Sequence, residues 1–355
     1  MLARDRCLGI GVFALLSWLG LPAGPVAAQR PSPEPKSGTP DGAGVPESAF
    51  AFLRPLRGES GALRVAFRTP GSALSPKQPA PGIDVLYEGA TGDALASDRV
   101  PAAPGVYDIV IKAGDSGRKA DDLRVVTLVP FSDKKQGRIG AYQIGFWPYE
   151  ETKPRSQAYA SPAGFVEVTR ENRSLQVSKH FELGDFLTKG QEDIWPKYLV
   201  LDPRLLDKLE LVEQELEAEG RTADRFHVMS GFRTPAYNEF GGDPSGRGEL
   251  SRHMWGDAVD IWVDNDRDGA MDDLNGDKRV DVEDSRVIAA AAERVEARYP
   301  ALAGGIAPYP GCCGHGPFTH VDARGTRARW QGPHAQATPR PRVSPAKPGP
   351  RADRD

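Results

Sequence analysis

The chain is poor in features that would tie it to a lipid bilayer, to nucleic acid or to a disulfide scaffold. Beyond residue 21 no run is apolar enough to span a bilayer, so no integral membrane segment is expected in the mature chain. The formal net charge is only −4 over 355 residues. No overall field therefore draws the chain to nucleic acid or to an anionic membrane surface. Cysteine occurs three times, as Cys7, Cys312 and Cys313. A bridge between neighbours is strained and unusually reducible. Two small buried thiols are the plainer expectation for the adjacent pair, and a vicinal disulfide the alternative.

The amino terminus is where apolar residues do gather. Arg4 and Arg6 precede an apolar run of fourteen residues, Leu8 to Leu21, and Val26-Ala27-Ala28 offers small residues before Gln29. This pattern predicts a secretory signal over residues 1–28, with an uncleaved anchor as the alternative. No cysteine follows at a lipoprotein position. The expected location is periplasmic or secreted, and the mature chain of about 327 residues (355 minus 28) has room for two domains.

Residues 29–47 and 331–355 are rich in Pro with Gly, Ser, Lys or Arg, and predict a disordered leader and tail. Residues 48–150 are β-rich. Leu63, Val65 and Phe67 alternate with Arg64, Ala66 and Arg68, and further runs cover 83–87, 106–112, 123–129 and 139–146. Short strands with Pro and Gly between them predict a small all-β, sandwich-like domain, for which we favour a structural or positioning role, with a wall-binding module as the alternative. A connection over 151–180 follows. From Phe181 the pattern is α+β. Asp202 caps and Pro203 opens a helix with Leu205, Leu206, Leu209, Val212 and Leu216 on one face and Gly220 after its end. Phe226 to Met229 reads as a strand, with His227 on the sheet face rather than as a ligand. His180 and His334 show no metal-like context.

The run Ser251-Arg252-His253-Met254-Trp255-Gly256-Asp257-Ala258-Val259-Asp260 sets a histidine and an aspartate seven residues apart, and His320 follows far downstream. Zn2+ accepts imidazole nitrogen and carboxylate oxygen, and two histidines with one carboxylate leave a fourth position open, as catalytic zinc sites do. Gly256 and the apolar run after it predict a turn into a strand, with the small Gly256 and Ala258 letting the backbone pass close to the metal. A capped turn before a buried strand is the bland alternative.

Met229-Ser230-Gly231-Phe232-Arg233-Thr234-Pro235-Ala236-Tyr237-Asn238, the run from Ser251 to Asp260 and the late Phe318-Thr319-His320-Val321-Asp322 occur in that order. Together they resemble the zinc D-alanyl-D-alanine carboxypeptidase and endopeptidase family of the hedgehog/DD-peptidase superfamily. Gly304-Gly305-Ile306, Tyr309-Pro310 and Arg329-Trp330 also look like its peptidoglycan-peptidase branch. The resemblance covers roughly residues 180–330. It implies an antiparallel sheet with flanking helices over 181–330, one catalytic Zn2+ on His253, Asp260 and His320, and a peptidoglycan peptide as substrate. It implies that Arg233 meets a substrate carboxylate or the developing oxyanion, and that Ser251 hydrogen-bonds near the metal loop. Many relatives carry an acidic base three residues before the last histidine, where this chain has Pro317. His315 or Asp322 is left as the proton acceptor. We favour His315, with Asp322 orienting a ligand. The missing acid leaves a weak or inactive wall-binding protein as the alternative. Oligomeric state is open.

Residues 264–284 carry a separate signal. Asp273, Asn275, Asp277, Asp281 and Asp284 occupy places 1, 3, 5, 9 and 12 of an EF-hand-like loop, with Arg279 offering its carbonyl at place 7. The spacing resembles a dockerin-type calcium loop. Asp264, Asp266, Asp268 and Asp272 form an overlapping loop that would share Asn275. One or two structural Ca2+ ions are expected, fixing the strand that carries Asp260. A solvated acidic hairpin is the alternative.

Overall fold

Alternation of apolar residues builds the first sheet. The computed structural model describes residues 44–332 other than Thr91, 243–246 and Cys313. The expected signal, most of the leader, the tail beyond 332, Cys313 and His334 therefore lie outside the described residues. Strands β1 (Val65–Arg68), β2 (Ile83–Glu88), β3 (Ala94–Ala96), β4 (Gly105–Ala113) and β5 (Ser116–Thr127) form one five-stranded sheet in the order β1-β5-β4-β2-β3. Its pairs are antiparallel except β1 with β5.

This is a single sheet rather than the expected sandwich. One face is covered by a 3-10 segment, Glu47–Arg57, whose Ala49, Phe52, Leu53 and Leu56 pack with Val85, Ile109, Ile111 and Val125. Val45 already belongs to this core. The opposite face sends Val65, Phe67 and Val126 into the main core of the chain. Alternation marks a strand with a buried face, but not what buries it.

Two small sheets follow. β6 (Val129–Pro130), β9 (Gly164–Val168) and β10 (Lys197–Leu199) pair in the order β10-β9-β6, and β7 (Arg138–Ile139) pairs with β8 (Tyr142–Gln143). Helix α1 (Pro203–Ala218) begins as the sequence predicts, with the Asp202 side chain accepting from the Arg204 amide. Leu205, Leu206, Leu209, Val212 and Leu216 are buried in the main core.

The sheet that matters for function has five strands. β11 (Phe226–Ser230), β12 (Ala258–Val263), β13 (Gly305–Tyr309), β14 (Phe318–Asp322) and β15 (Ala328–Arg329) lie in the order β11-β12-β14-β13-β15. All pairs are antiparallel except β13 with β15. Short helix α2 (Pro235–Phe240) is capped by the Thr234 side chain. Helix α3 (Val282–Arg298) starts with a reciprocal capping box between Asp281 and Asp284. It packs on α1, β13 and β14. The described chain is thus a mixed α/β protein with several sheets and few helices. No helix among the described residues is long and apolar enough to cross a membrane.

Candidate metal centre

The 3-10 turn Arg252–Trp255 presents His253, and its neighbours hold that turn in place. Buried Arg252 pairs with Asp257, its Nε standing 3.0 Å from Oδ1. Trp255 Nε1 donates to the Ala160 carbonyl at 2.9 Å, and Trp147 Nε1 donates to the Met254 carbonyl at 2.9 Å. Gly256 ends the turn in the left-handed region at φ 68°. A Cβ there would stand 2.0 Å from the Val200 carbonyl oxygen. Gly256 therefore lets the turn press against residues 200–201 and, through its own carbonyl, receive the Asp202 amide at 2.9 Å. This corrects the expectation that its small size serves passage beside the metal. The constraint comes from the segment leading into α1.

Strand register supplies the other two groups. Asp260 on β12 is the direct partner of His320 on β14. Side chains of such a pair share a face of the sheet. His320 Nδ1 lies 2.9 Å from Asp260 Oδ1, and His253 Nε2 lies 3.4 Å from Asp260 Oδ2. Ligand atoms of His253, Asp260 and His320 all fall within 4.8 Å of one another, and all three residues are buried. The predicted triad is brought together.

The surrounding bonds orient these ligands. His253 Nδ1 is 2.7 Å from the Gly231 carbonyl. Donation there leaves the Nε2 lone pair facing the centre. Burial, reinforced by the Arg233 charge, pushes the His253 imidazole down, which favours the neutral form a metal needs. His320 presents Nδ1 inward, while its Nε2 stands 3.2 Å from Asp322 Oδ2. Burial opposes charge on this ring. Hydrogen bonds donated to Asp260 and Asp322 outweigh it and raise the imidazole to about 9. The two carboxylates that favour a proton on this ring would equally favour a cationic metal beside it. Burial likewise disfavours charge on Asp260, but His253, His320 and Arg233 hold its carboxyl well below the usual range. Two buried imidazoles and a buried carboxylate form a group that could hold a metal ion.

Arg233 is at the centre as predicted. Its Nη2 donates to Asp260 Oδ2 at 2.7 Å and its Nε to Ser230 Oγ at 2.7 Å. Among the described residues its Nη1 has no hydrogen-bond partner. Asp322 lies beside His320, its Oδ2 3.2 Å from His320 Nε2. Its carboxylate accepts from the Gly305 amide at 2.7 Å and from the Arg324 guanidinium. Burial opposes its charge, yet the His320 and Arg324 hydrogen bonds hold this carboxyl far below the usual range. With its oxygens engaged by Gly305, His320 and Arg324, it is poorly placed to take a proton from water.

His315 joins none of these groups through a bond among the described residues. Its Nδ1 is 2.8 Å from the Gly316 carbonyl and its ring packs edge-on to Phe318 at 5.2 Å. Ser251 supplies backbone to the turn, its carbonyl accepting the Met254 amide at 3.1 Å. Its hydroxyl makes no hydrogen bond among the described residues. Cys312 Sγ lies 3.8 Å from His315 Nε2. His227 stacks on Trp262, its register partner, with centroids 4.2 Å apart, as a sheet-face histidine should.

Two features near the centre are not assigned roles by sequence reasoning. Ala307 pairs with His320, so Tyr309, two residues on, faces the same side. Trp330 Nε1 donates to the Tyr309 hydroxyl at 2.7 Å, and the Trp330 ring is 5.1 Å from that of His320. Burial pushes the Tyr309 phenol up, against the Trp330 hydrogen bond, and the Asp260 charge adds to the rise. The β-alternation Gly305-Ala307-Tyr309 is the signal that could have placed it.

The acidic segment also takes defined shape. Asp264, Asp266 and Asp268 bring one carboxylate oxygen each within 4.8 Å of one another. Asp264 is buried, and its Oδ1 has no hydrogen-bond partner. Places 4 and 6 of this loop, Arg267 and Gly269, have φ of 62° and 81°. The same places of the second loop, Gly276 and Lys278, have φ of 79° and 70°. In the second loop the Asp273, Asn275, Asp277 and Asp281 side chains accept backbone amides of the loop and of the start of α3. Buried Asp284 receives the amides of Leu274, Asn275 and Asp281. Asp272 Oδ2 accepts from the Asn265 amide at 2.9 Å, and Arg279 occupies its expected place before α3. The converging acidic group is therefore the first loop.

A third grouping brings His180 together with Glu210 and Glu213. The sequence left His180 aside because its partners lie 30 and more residues away on α1. No family model, curated protein or solved structure matches the chain.

Proposed function

We propose that the chain is an exported zinc peptidase that hydrolyses peptidoglycan stem peptides or cross-links beside a D-amino acid. The observation that carries this reading is the buried His253–Asp260–His320 group with Arg233 at its edge. The motif resemblance supplies the substrate class. Zinc, when bound, supplies Lewis acidity to a water molecule and to the scissile carbonyl. His253 Nε2, Asp260 and His320 Nδ1 would hold it. Arg233, fixed by Ser230 and Asp260, has Nη1 left to meet the oxyanion or a substrate carboxylate. His315 would accept the proton from water and return it to the leaving amine. Tyr309, kept protonated, can donate a hydrogen bond beside the same centre. Calcium in the first acidic loop would be structural.

A second reading has its own support. Pro317 stands where an acid is expected, and Asp322 is committed to Arg324 and His320. The chain would then bind the wall and retain the metal without working turnover. Purified sacculi digested with wild type and with His253→Ala separate the two. The peptidase reading predicts new muropeptides with wild type only. Identical profiles, with wild type fully loaded with zinc, would leave the binding protein.

A further inference from the structure

We propose a second transition-metal site beside α1, formed by His180, Glu210 and Glu213. Their ligand atoms lie within 4.8 Å of one another, outside the centre described above. Glu210 and Glu213 are one helical turn apart, which sets both carboxylates on one face of α1. His180 lies on the segment that precedes α1 and packs beside that face. Its Nδ1 is 2.8 Å from Glu210 Oε2, and its backbone amide donates to Glu210 Oε1 at 2.9 Å.

Glu213 is the reason to look for an ion. It is fully buried, and neither carboxylate oxygen has a hydrogen-bond partner. The nearest cationic group is His180 Nδ1, 3.8 Å from Oε2, beyond hydrogen-bond reach. A carboxylate taken from water without donors is costly unless a cation or metal compensates it. A cation between His180 and the two carboxylates would compensate the buried Glu213 charge.

The donor set selects the ion. Calcium and magnesium take oxygen ligands, whereas imidazole nitrogen with carboxylates suits zinc and its first-row neighbours. The role is structural. Helix α1 already receives the Glu59 and Ser60 amides on Asp207, at 2.8 and 2.9 Å. On its other side buried Lys208 donates to the Asp322 carbonyl at 2.7 Å. An ion on His180 ties the segment before α1 to the helix that backs the primary centre.

The test counts zinc. Full-length protein, stripped of metal and kept in excess calcium, is equilibrated with zinc, washed, and its zinc per chain measured by mass spectrometry. Wild type should hold two ions, Glu213→Gln one, His253→Ala one, and the double variant none. Zinc should raise the melting temperature of His253→Ala and not that of the double variant. One ion in wild type that survives His253→Ala but is lost in Glu213→Gln would still support the site, while removing the primary centre. A His253→Ala chain that holds no zinc overturns the proposal. So does a second ion that survives both Glu213→Gln and His180→Gln, the latter serving where Glu213→Gln does not fold.

Discussion

Asp260 and His320 are register partners on neighbouring antiparallel strands, and Oδ1 of the one stands 2.9 Å from Nδ1 of the other. The ligand pair is thus built into the backbone ladder rather than left to loops. Only His253 comes from a turn, and its ring is tied to the Gly231 carbonyl. Such a frame needs little rearrangement to accept an ion.

The first prediction separates Asp322 from His315. Asp322 holds the outer nitrogen of His320, so Asp322→Asn should weaken zinc affinity by roughly 10–100-fold. His315 makes no hydrogen bond to a ligand among the described residues, so His315→Gln should leave affinity unchanged and lower turnover on sacculi. Competition titration with a chromophoric chelator measures the first, and muropeptide release the second. Unchanged affinity in Asp322→Asn would remove its orienting role.

Gly256→Ala should be far more damaging than a surface Gly→Ala. The left-handed φ of 68° is unfavourable for alanine, and the new Cβ would meet the Val200 carbonyl. We expect a loss of about 3 kcal/mol. For a chain of this size that is a fall of roughly 5 °C in melting temperature. The His253 turn moves with it, so zinc affinity should fall too. Wild-type melting by calorimetry would show that the turn has room the structure does not give it.

How much of this was legible in the sequence depends on where each constraint comes from. Helix α1 was readable because Asp202 and Pro203 act on their own neighbours. The triad was readable because His253 and Asp260 sit in one run, and the alternation around His320 marks its strand. The role of Gly256 was not, because Val200, 56 residues earlier, imposes it. The sandwich was misread because Val65 and Ala66 announce two faces without naming the 3-10 segment that covers one of them. His180 gave no signal, since Glu210 and Glu213 become its neighbours only when α1 packs beside it.

Calcium should stabilise the fold through β12. The first acidic loop begins at buried Asp264, immediately after the last residue of β12, and the Asp272 amide donates back to the Val263 carbonyl at 2.9 Å. Three converging carboxylates repel one another without a cation. A calcium-selective chelator should therefore lower the melting temperature, and Asp264→Ala should abolish that response. The expected size is about 3 kcal/mol at calcium well above its dissociation constant. Melting and sacculus digestion that both ignore the chelator would rule out a calcium brace.

Glu293 gives a pH dependence at the edge of the sheet. The Arg329 hydrogen bonds hold its carboxyl below the usual range, with the Arg327 charge adding to them against burial. Arg329 Nη2 is 3.0 Å from Glu293 Oε2, and this contact fastens edge strand β15 to α3. A depressed carboxyl stabilises the fold above its unfolded value, near 4.3. That contribution disappears as pH falls through the lower folded value. The group is partly exposed, so solvent screening limits the effect to about 1 kcal/mol. At pH 7 Glu293→Gln should therefore unfold more easily than wild type in urea. The gap should close as pH drops from about 4.3 towards 3, because protonation then removes the same charge from wild type. A gap that stayed constant down to acid pH would assign the loss to packing rather than to the ion pair.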